Sequence, residues 1–282
     1  PLCALRRRDT AAMNSFRVLA ALPLLFAACQ DTPQRARADA LAASPPHARA
    51  ASLYENHCAL CHGTLGAGDG EAAHLLFPPA RDFSTGRFRI VSTENGIPTE
   101  DDLVNTLRRG MPGSAMPGFA WMSEEDLRGM ARYVQRLTLE GMALGLERQA
   151  RETGRERAPE TARRMAERFL TPGKVIVPGS TMPPPRRVVE VDLALARGEE
   201  LYRDNCASCH GADGRGTDTV RWTEDGDLDW ARDFTAGILK GGASRAELTR
   251  RIRAGMPGTA MPGLRLPPDD EAALVGYVRR LI

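Results

Sequence analysis

Two short motifs of cysteine and histidine are the residues of this chain best suited to chemistry. The sequence reads Cys-Ala-Leu-Cys-His over residues 58–62 and Cys-Ala-Ser-Cys-His over residues 206–210. A C-x-x-C pair can supply two ligands to zinc, can act as a redox dithiol, or, when His follows directly, can attach a haem group. On a helix, residues three apart lie on one face, so both thiols of a motif can reach the same bound group.

The landmarks around these motifs occur twice, in the same order along the chain. Residues 53–63 match residues 201–211, residues 81–83 match residues 232–234, and residues 110–118 match residues 255–263. Self-similarity of this kind is typical of a repeated structural unit. We therefore predict a tandem duplication, with one domain over residues 48–138 and a second over residues 191–282.

A connector over residues 139–190 separates the two repeats. Its first part is charged and helix-forming, and Glu147 lies four residues before Arg151, a spacing that supports a helix. We expect this part to be a solvated connector rather than a docking surface. Its second part is rich in proline, which favours an extended and semi-rigid chain. The prolines of this part are Pro172, Pro178, Pro183, Pro184 and Pro185.

The N-terminal residues show the pattern of an export signal followed by a tether. From Met13, a short basic start leads into an apolar run over residues 18–28, whereas a membrane-spanning helix needs about 20 apolar residues. The run ends Phe-Ala-Ala-Cys, which resembles a lipoprotein signal with Cys29 as the lipid-carrying residue; ordinary secretion is the alternative. We predict a leader and signal peptide over residues 1–28, a flexible tether over residues 29–47, and a location on the periplasmic side of a bacterial membrane.

Hydrophobic spacing predicts helices and no strands inside the repeats. Helices are expected over residues 48–59, 103–109, 192–207, 247–254 and 269–282. The closing helix of the first repeat should begin at Ser123, with Asp126 three residues later as its capping partner. The predicted fold class is all-α, with two tandem domains joined by a charged helical and Pro-rich connector.

Composition distinguishes among the three chemistries that a C-x-x-C pair allows. Zinc needs four ligands, but the second repeat contains no histidine besides His210. A redox dithiol is expected near a βαβ pattern, which the sequence lacks. Aromatic content is only 5%, so a domain of this size would gain much of its core from a buried macrocycle. We therefore predict two covalently attached haem c groups, held by Cys58, Cys61, Cys206 and Cys209, with His62 and His210 bound to the irons.

With these motifs, both repeats resemble class I cytochrome c domains, and the whole chain resembles bacterial di-haem cytochromes c. The resemblance covers residues 48–138 and 191–282 and implies a second axial ligand from a Met-Pro loop before the last helix of each domain. Those ligands would be Met116 and Met261. Met111 and Met256 occupy similar Gly-Met-Pro-Gly contexts five residues earlier, and His74 is a further competitor in the first repeat.

The resemblance implies an electron carrier rather than an enzyme. His and Met together fill both axial positions of each iron, and this ligation raises the reduction potential. The expected partners are a redox protein donor and acceptor, or a respiratory membrane complex. The alternative is a di-haem peroxidase or dehydrogenase with one labile axial ligand. Net charge is only +2, so charge gives no case for nucleic-acid binding.

Two repeated arginines are candidate partners for the haem propionate groups. Arg81 and Arg232 each precede Asp-Phe, and guanidinium groups bind carboxylates well. Local ion pairs with Asp82 and Asp233 are the alternative. Two tryptophans, Trp222 and Trp230, would line the second haem or serve simply in packing.

Overall fold

A computed structural model describes residues 48–155, 158–178, 188–223, 226 and 228–282 of the chain. The predicted leader over residues 1–28 and the tether over residues 29–47, including Cys29, lie outside this part. Nine helices and two short strands make up its regular structure, apart from short 3-10 turns. None of the helices in the described ranges combines the length and the apolar character needed to cross a membrane. The prediction of an all-α fold is therefore confirmed.

Four helices build the first repeat and hold its cysteine motif. They are α1 (Ala48–His57), α2 (Ala59–His62), α3 (Glu100–Arg109) and α4 (Glu124–Glu152). The start of α3 is fixed by a reciprocal capping box between Thr99 and Asp102. Ser123 caps α4 by accepting a hydrogen bond from the backbone amide of Asp126, as the sequence predicts. The core lies where α1 packs against α4, around the buried side chains of Tyr54, Leu127 and Met130.

After the connector, the second repeat uses the same arrangement. Its helices are α6 (Val188–Asn205), α7 (Ala207–His210), α8 (Arg245–Ala254) and α9 (Pro268–Leu281). Tyr202 and Leu274 form the centre of its core, 1% and 0% exposed. One small departure from the prediction is an antiparallel pair of two-residue strands, β1 (Arg221–Trp222) and β2 (Leu228–Asp229). These strands lie in a loop that the first repeat does not match in sequence.

The crossing of α6 and α9 depends on a glycine. A Cβ atom added at Gly198 would lie 2.3 Å from the carbonyl oxygen of Ala273 on α9, so the two helices approach too closely for any side chain. The added Cβ atom would meet backbone atoms of Ala273, which cannot move aside as the end of a flexible side chain could. The tight crossing brings Tyr202, one turn later on α6, against Tyr277 of α9, with ring centroids 5.3 Å apart.

Gly198→Ala should therefore destabilise the second repeat, by about 1–3 kcal/mol in the free energy of unfolding, because it overpacks this crossing. Gly276→Ala is the matched control, since it also lies in a helix of the second repeat and has open space where the Cβ would be placed. We expect that change to be neutral or to stabilise by up to about 1 kcal/mol through helix propensity. Thermal or urea unfolding of both variants checks this; equal losses would contradict the packing argument.

The connector packs against the first repeat instead of standing free in solvent. Helix α4 passes the predicted domain boundary at residue 138 and ends at Glu152, and α5 (Pro159–Phe169) turns back along it. Ala162 and Ala166 on α5 are completely buried. The expectation of a solvated connector helix is therefore wrong for one face of α5. Its alanines allow close packing on α4, and Arg163 forms an ion pair with Glu140 of α4, with 2.7 Å between nitrogen and oxygen.

The Pro-rich part of the connector is attached to the first repeat where it is described. The backbone amide of Ile176 donates to the carbonyl oxygen of Ser92 at 2.7 Å, and the amide of Glu94 donates to the carbonyl oxygen of Lys174 at 2.9 Å. The remaining prolines, from Pro183 to Pro185, lie outside the described residues. Attachment at residues 174–176 fixes where the chain leaves the first repeat.

The two repeats contact each other directly. Arg251 of α8 is 5% exposed and donates to the carbonyl oxygen of Val91 in the first repeat at 2.7 Å. In the other direction, Arg109 at the end of α3 donates to the carbonyl oxygen of Gly241 at 2.6 Å. A guanidinium group that binds a backbone carbonyl oxygen fixes the orientation of the two repeats as well as their contact, because its donors form a rigid fork.

Candidate haem-binding sites

Each cysteine motif lies on a short helix that follows a bend in the chain. Cys58 separates α1 from α2, and its backbone amide still donates to the carbonyl oxygen of Tyr54 at 2.8 Å. The amide of His62 then donates to the carbonyl oxygen of Cys58 at 2.9 Å. The corresponding distances at Cys206 and His210 are also 2.8 and 2.9 Å. The two motifs therefore have one backbone geometry, in which a single turn carries both thiols and the imidazole.

A buried tyrosine fixes the end of each motif. The hydroxyl of Tyr54 donates to the carbonyl oxygen of Gly63 at 2.7 Å, and the hydroxyl of Tyr202 donates to the carbonyl oxygen of Gly211 at the same distance. Burial raises the pKa of both tyrosines, so their hydroxyl groups remain protonated donors. These residues serve the core, as their 1% exposure indicates, and they hold the turn that ends at the histidine.

The two motif histidines are held as neutral imidazoles. The Nδ1 atom of His62 lies 3.0 Å from the carbonyl oxygen of Arg81, which can only accept, so Nδ1 carries the proton and Nε2 has a lone pair for a metal. The Nδ1 atom of His210 lies 3.5 Å from the carbonyl oxygen of Arg232, a longer and weaker contact. Burial lowers the pKa of both histidines and so favours the form that binds metals.

The motif cysteines are free thiols, and each is buried or partly buried. Burial is the main cause that raises the pKa of Cys58 to about 12 and that of Cys206 to about 11, and the neighbouring cysteine of each motif raises it further. Within the described ranges, no group of three or more His, Cys, Asp or Glu side chains is placed to hold a metal ion.

A deep cleft in the first repeat contains the donor set that a covalently attached haem requires. Cys58, Cys61 and His62 line it together with both methionines of the Met-Pro loop, Met111 and Met116. The rest of the lining is mainly apolar and aromatic, and includes Phe83, Phe88, Leu103, Leu107 and Phe119. Two thiols, one neutral imidazole and a thioether sulfur in one apolar cleft fit a haem c group.

The Met-Pro loop is a tight hairpin with the same hydrogen bonds in both repeats. The amide of Met111 donates to the carbonyl oxygen of Met116 at 3.1 Å, and the amide of Met256 donates to that of Met261 at 3.1 Å. A Cβ atom at Gly110 would lie 2.7 Å from the carbonyl oxygen of Met116, so only glycine fits at this position of the loop. Both methionines of the first loop therefore border the cleft, and Met116 also packs against the core of the repeat.

Other candidates from the sequence are placed as follows. His74 is exposed and does not line the cleft. His57 is exposed at the edge of the cleft and contacts the ring of Trp121. Trp222 is 72% exposed, and Trp230 stacks on Phe77 of the first repeat with ring centroids 4.8 Å apart.

The two repeated arginines lie in different surroundings. Arg81 lines the cleft of the first repeat, close to the motif. Arg232, in contrast, donates from Nη2 to the carbonyl oxygen of Pro112 at 3.2 Å, so its side chain reaches the Met-Pro loop of the other repeat. Their neighbouring carboxylates accept hydrogen bonds locally, Asp82 from the amide of Ser84 and Asp233 from Thr235.

Two cations of the cleft were missed at the level of sequence. Arg89, 8% exposed, and Lys240 of the second repeat both line the cleft of the first repeat. The sequence does indicate that these two residues occupy equivalent positions in the repeats, because Lys240 follows Arg89 by 151 residues, the same interval that separates Arg232 from Arg81. No periodicity in the sequence, however, indicates that Lys240 crosses to the other domain.

Comparison with known proteins finds a cytochrome family model that matches each repeat. Residues 195–281 match the family model described as Cytochrome c, and residues 45–134 match the model described as Cytochrome C oxidase, cbb3-type, subunit III. The chain is 33% identical over 90 residues to the Cbb3-type cytochrome c oxidase subunit FixP of Azorhizobium caulinodans. That match covers 31% of this chain and 27% of the relative, so only about a quarter of the relative's length is shared.

The arrangement of both repeats has a counterpart among solved structures. The chain is similar to a chain of the Kuenenia stuttgartiensis reducing HAO-like protein complex, with a TM-score of 0.66 and 25% identity. The similarity covers 83% of this chain and 96% of that chain. Coverage of this extent includes residues of both repeats.

Proposed function

Since the chain is a bacterial cytochrome c, we infer that it carries two covalently attached haem c groups and passes single electrons between redox partners. The observation that carries this proposal is the cleft in which Cys58, Cys61, His62 and the Met-Pro loop meet. The haem supplies an iron that gains and loses one electron. The residues of the chain attach it, hold its histidine ligand as the neutral tautomer and keep water away with apolar side chains.

We propose His62 with Met116 and His210 with Met261 as the axial ligand pairs. The support is the equal hydrogen bonding of the two motifs and of the two Met-Pro hairpins. With an imidazole and a methionine sulfur holding each iron, no position would remain for dioxygen or peroxide, so the chain would act as a carrier and not as an enzyme by itself. It also allows the iron to change oxidation state with little movement of the protein.

We further propose that the chain serves a respiratory or other redox complex on the periplasmic side of a bacterial membrane. Its relatives are named as a subunit of a cbb3-type oxidase and as part of a reducing complex. Lipidation at Cys29 would hold the domains near such a complex. The second candidate function, a haem enzyme with one labile axial ligand, draws support from the similarity to a chain of that reducing complex.

A carbon monoxide titration tests the proposal and separates the two candidates. The chain is expressed from Met13 with a cytochrome c maturation system, and its dithionite-reduced spectrum is recorded before and after addition of carbon monoxide. A c-type spectrum with two haems per chain and no change on adding the gas is the expected result. A shifted spectrum would favour the enzyme, and absence of covalent haem would overturn both.

A further inference from the structure

The two short strands of the second repeat present apolar side chains to solvent. In the register of β1 and β2, Trp222 pairs with Leu228, and Arg221 pairs with Asp229. Directly paired residues of a hairpin share a face, and successive residues of a strand alternate between faces. Trp222 and Leu228 therefore lie together on one face, where they are 72% and 39% exposed. The other pair lies on the opposite face.

This apolar surface continues onto the first repeat. Trp230 lies two residues beyond Leu228, and its ring stacks on that of Phe77 in the first repeat with centroids 4.8 Å apart. Both rings remain about half exposed. The surface is thus continuous with a contact that already joins the two repeats. We call the side chains of Phe77, Trp222, Leu228 and Trp230 the hairpin face.

The area of the hairpin face indicates a small contact with another molecule. A large apolar side chain can bury about 150–250 Å², so the exposed parts of these four amount to roughly 300–500 Å². Apolar patches of this size on a soluble protein often mark interaction sites. A standard protein interface buries about 800 Å² on each partner, and transient redox contacts are smaller. The hairpin face therefore fits the apolar centre of a transient interface.

Charge indicates which kind of partner would fit. Residues 218–229, which contain both strands, carry five carboxylates and one arginine, a net charge of −4, in a chain whose net charge is +2. Like charges repel, so a second copy meeting the first through this segment, or a surface of anionic lipids, would be disfavoured. A protein with lysine and arginine side chains around an apolar patch is complementary in charge and in polarity.

The opposite face of the hairpin lies against the second Met-Pro loop. There Asp229 accepts a hydrogen bond from the backbone amide of Ala260 at 3.3 Å, and Ala260 directly precedes Met261. A molecule bound to the hairpin face would therefore be separated from this loop by the thickness of the hairpin. The first repeat does not match the hairpin in sequence, so this surface belongs to the second site.

We propose that the hairpin face docks a redox protein whose contact surface is apolar and surrounded by lysine and arginine side chains, and that this partner exchanges electrons with the second repeat. The inference rests on the proposed function and extends it, because it assigns one partner to one repeat. Trp222 is the central contact, since tryptophans often dominate the binding energy of interfaces. The acidic segment speeds the encounter, an effect that salt screens.

Binding is tested with a lysine-rich cytochrome c as the probe, and with its lysine-acetylated form as the charge control. NMR titration of the isotope-labelled probe with the haem-loaded chain measures the Kd. Trp222→Ser should raise the Kd at least about tenfold. Phe169→Ser is the matched control, because that ring is 58% exposed at the end of α5 in the connector, and it should leave the Kd unchanged. The acetylated probe should bind the unmodified chain more weakly.

Electron transfer to the same probe, measured by stopped flow, is the second readout. Trp222→Ser should lower the second-order rate constant at least about tenfold, with the Tm and both haems retained because the side chain is exposed. Asp225→Asn with Asp227→Asn should lower the rate at low salt only. Trp121→Ser removes an exposed ring that contacts His57 at the edge of the first cleft. A loss that follows Trp121 instead of Trp222 would assign docking to the first repeat and overturn the proposal.

Other occupants of the hairpin face are recognised by separate measurements. Dimerisation of the chain in sedimentation velocity, abolished by Trp222→Ser, would assign the face to a second copy. Flotation with phosphatidylglycerol vesicles, abolished by the same change, would assign it to a membrane. Either result, or an unchanged Kd for the probe, overturns the proposal. Failure of the proposed function is distinct, since the unmodified chain would then carry no haem.

Discussion

A chain with Cys58→Ala and Cys61→Ala should carry one haem instead of two. On the proposed function, the two thiols provide both covalent links to the first haem and Cys206 and Cys209 provide those to the second, so the haem absorbance per chain should fall to half. The first repeat should also lose the apolar contacts that its cleft makes with the cofactor. Phe83, Phe88 and Phe119, which line the empty cleft, would face water or collapse into it.

The first repeat should then unfold separately from the second. Burying an aromatic or large aliphatic side chain contributes about 1.5–3 kcal/mol, and several such side chains line the cleft. Since a whole domain is stable by only about 5–15 kcal/mol, loss of the haem should remove most of the stability of this repeat. Haem content by pyridine haemochrome and unfolding by calorimetry check both statements.

Two further variants make this test specific. Cys206→Ala with Cys209→Ala should produce the reciprocal loss in the second repeat. Leu60→Ala changes the residue between the cysteines of the first motif, and because that side chain is 59% exposed, haem content should remain at two per chain. Retention of both haems after loss of Cys58 and Cys61 would show that the motif does not attach the cofactor.

Met116→Ala should open the sixth coordination position of the first iron. Its sulfur is one of two that the Met-Pro hairpin brings to the cleft, and its side chain also packs against the core of the repeat. The reduced variant should bind carbon monoxide with a clear spectral change, and its first haem should have a lower potential because methionine ligation raises it. We expect a change of at least about tenfold in the ratio of oxidised to reduced haem, or 59 mV.

Met111→Ala is the control for this prediction. Met111 borders the same cleft and lies in the same hairpin, but it is not among the side chains packed against the core of the first repeat. Its loss should leave carbon monoxide binding absent and cost only packing energy, about 2–5 kcal/mol at most for a buried methionine. If Met111→Ala instead binds carbon monoxide and Met116→Ala does not, the ligand assignment within the hairpin is reversed.

Local spacing in the sequence was sufficient for the parts of this protein that repeat. The C-x-x-C-H motifs, the Met-Pro loops and the helices around them depend on residues close together in the chain, so their geometry follows from helix periodicity and turn chemistry. The cap at Ser123 is of this kind. Helix α3, in contrast, begins at Glu100, three residues before its predicted start. The two-residue strands were not predicted, because four strand residues within a loop carry no usable periodicity.

Contacts between distant segments could not be predicted from local spacing in the sequence. The continuation of α4 to Glu152 and the burial of Ala162 on α5 depend on one helix packing along another, for which a charged, alanine-containing sequence gives little indication. Helix propensity alone cannot say which face will be covered. The sequence therefore predicted the helical part of the connector but not its partner.

The sequence by itself predicted two cytochrome c domains, because thioether attachment needs a fixed local pattern of cysteines and histidine. The tertiary structure decided how those domains meet. It brought Lys240 and Arg232 from the second repeat to the cleft and the Met-Pro loop of the first, and it directed Arg251 to the backbone at Val91. These contacts join residues more than a hundred positions apart, and their free energy arises only once both domains are folded and packed together.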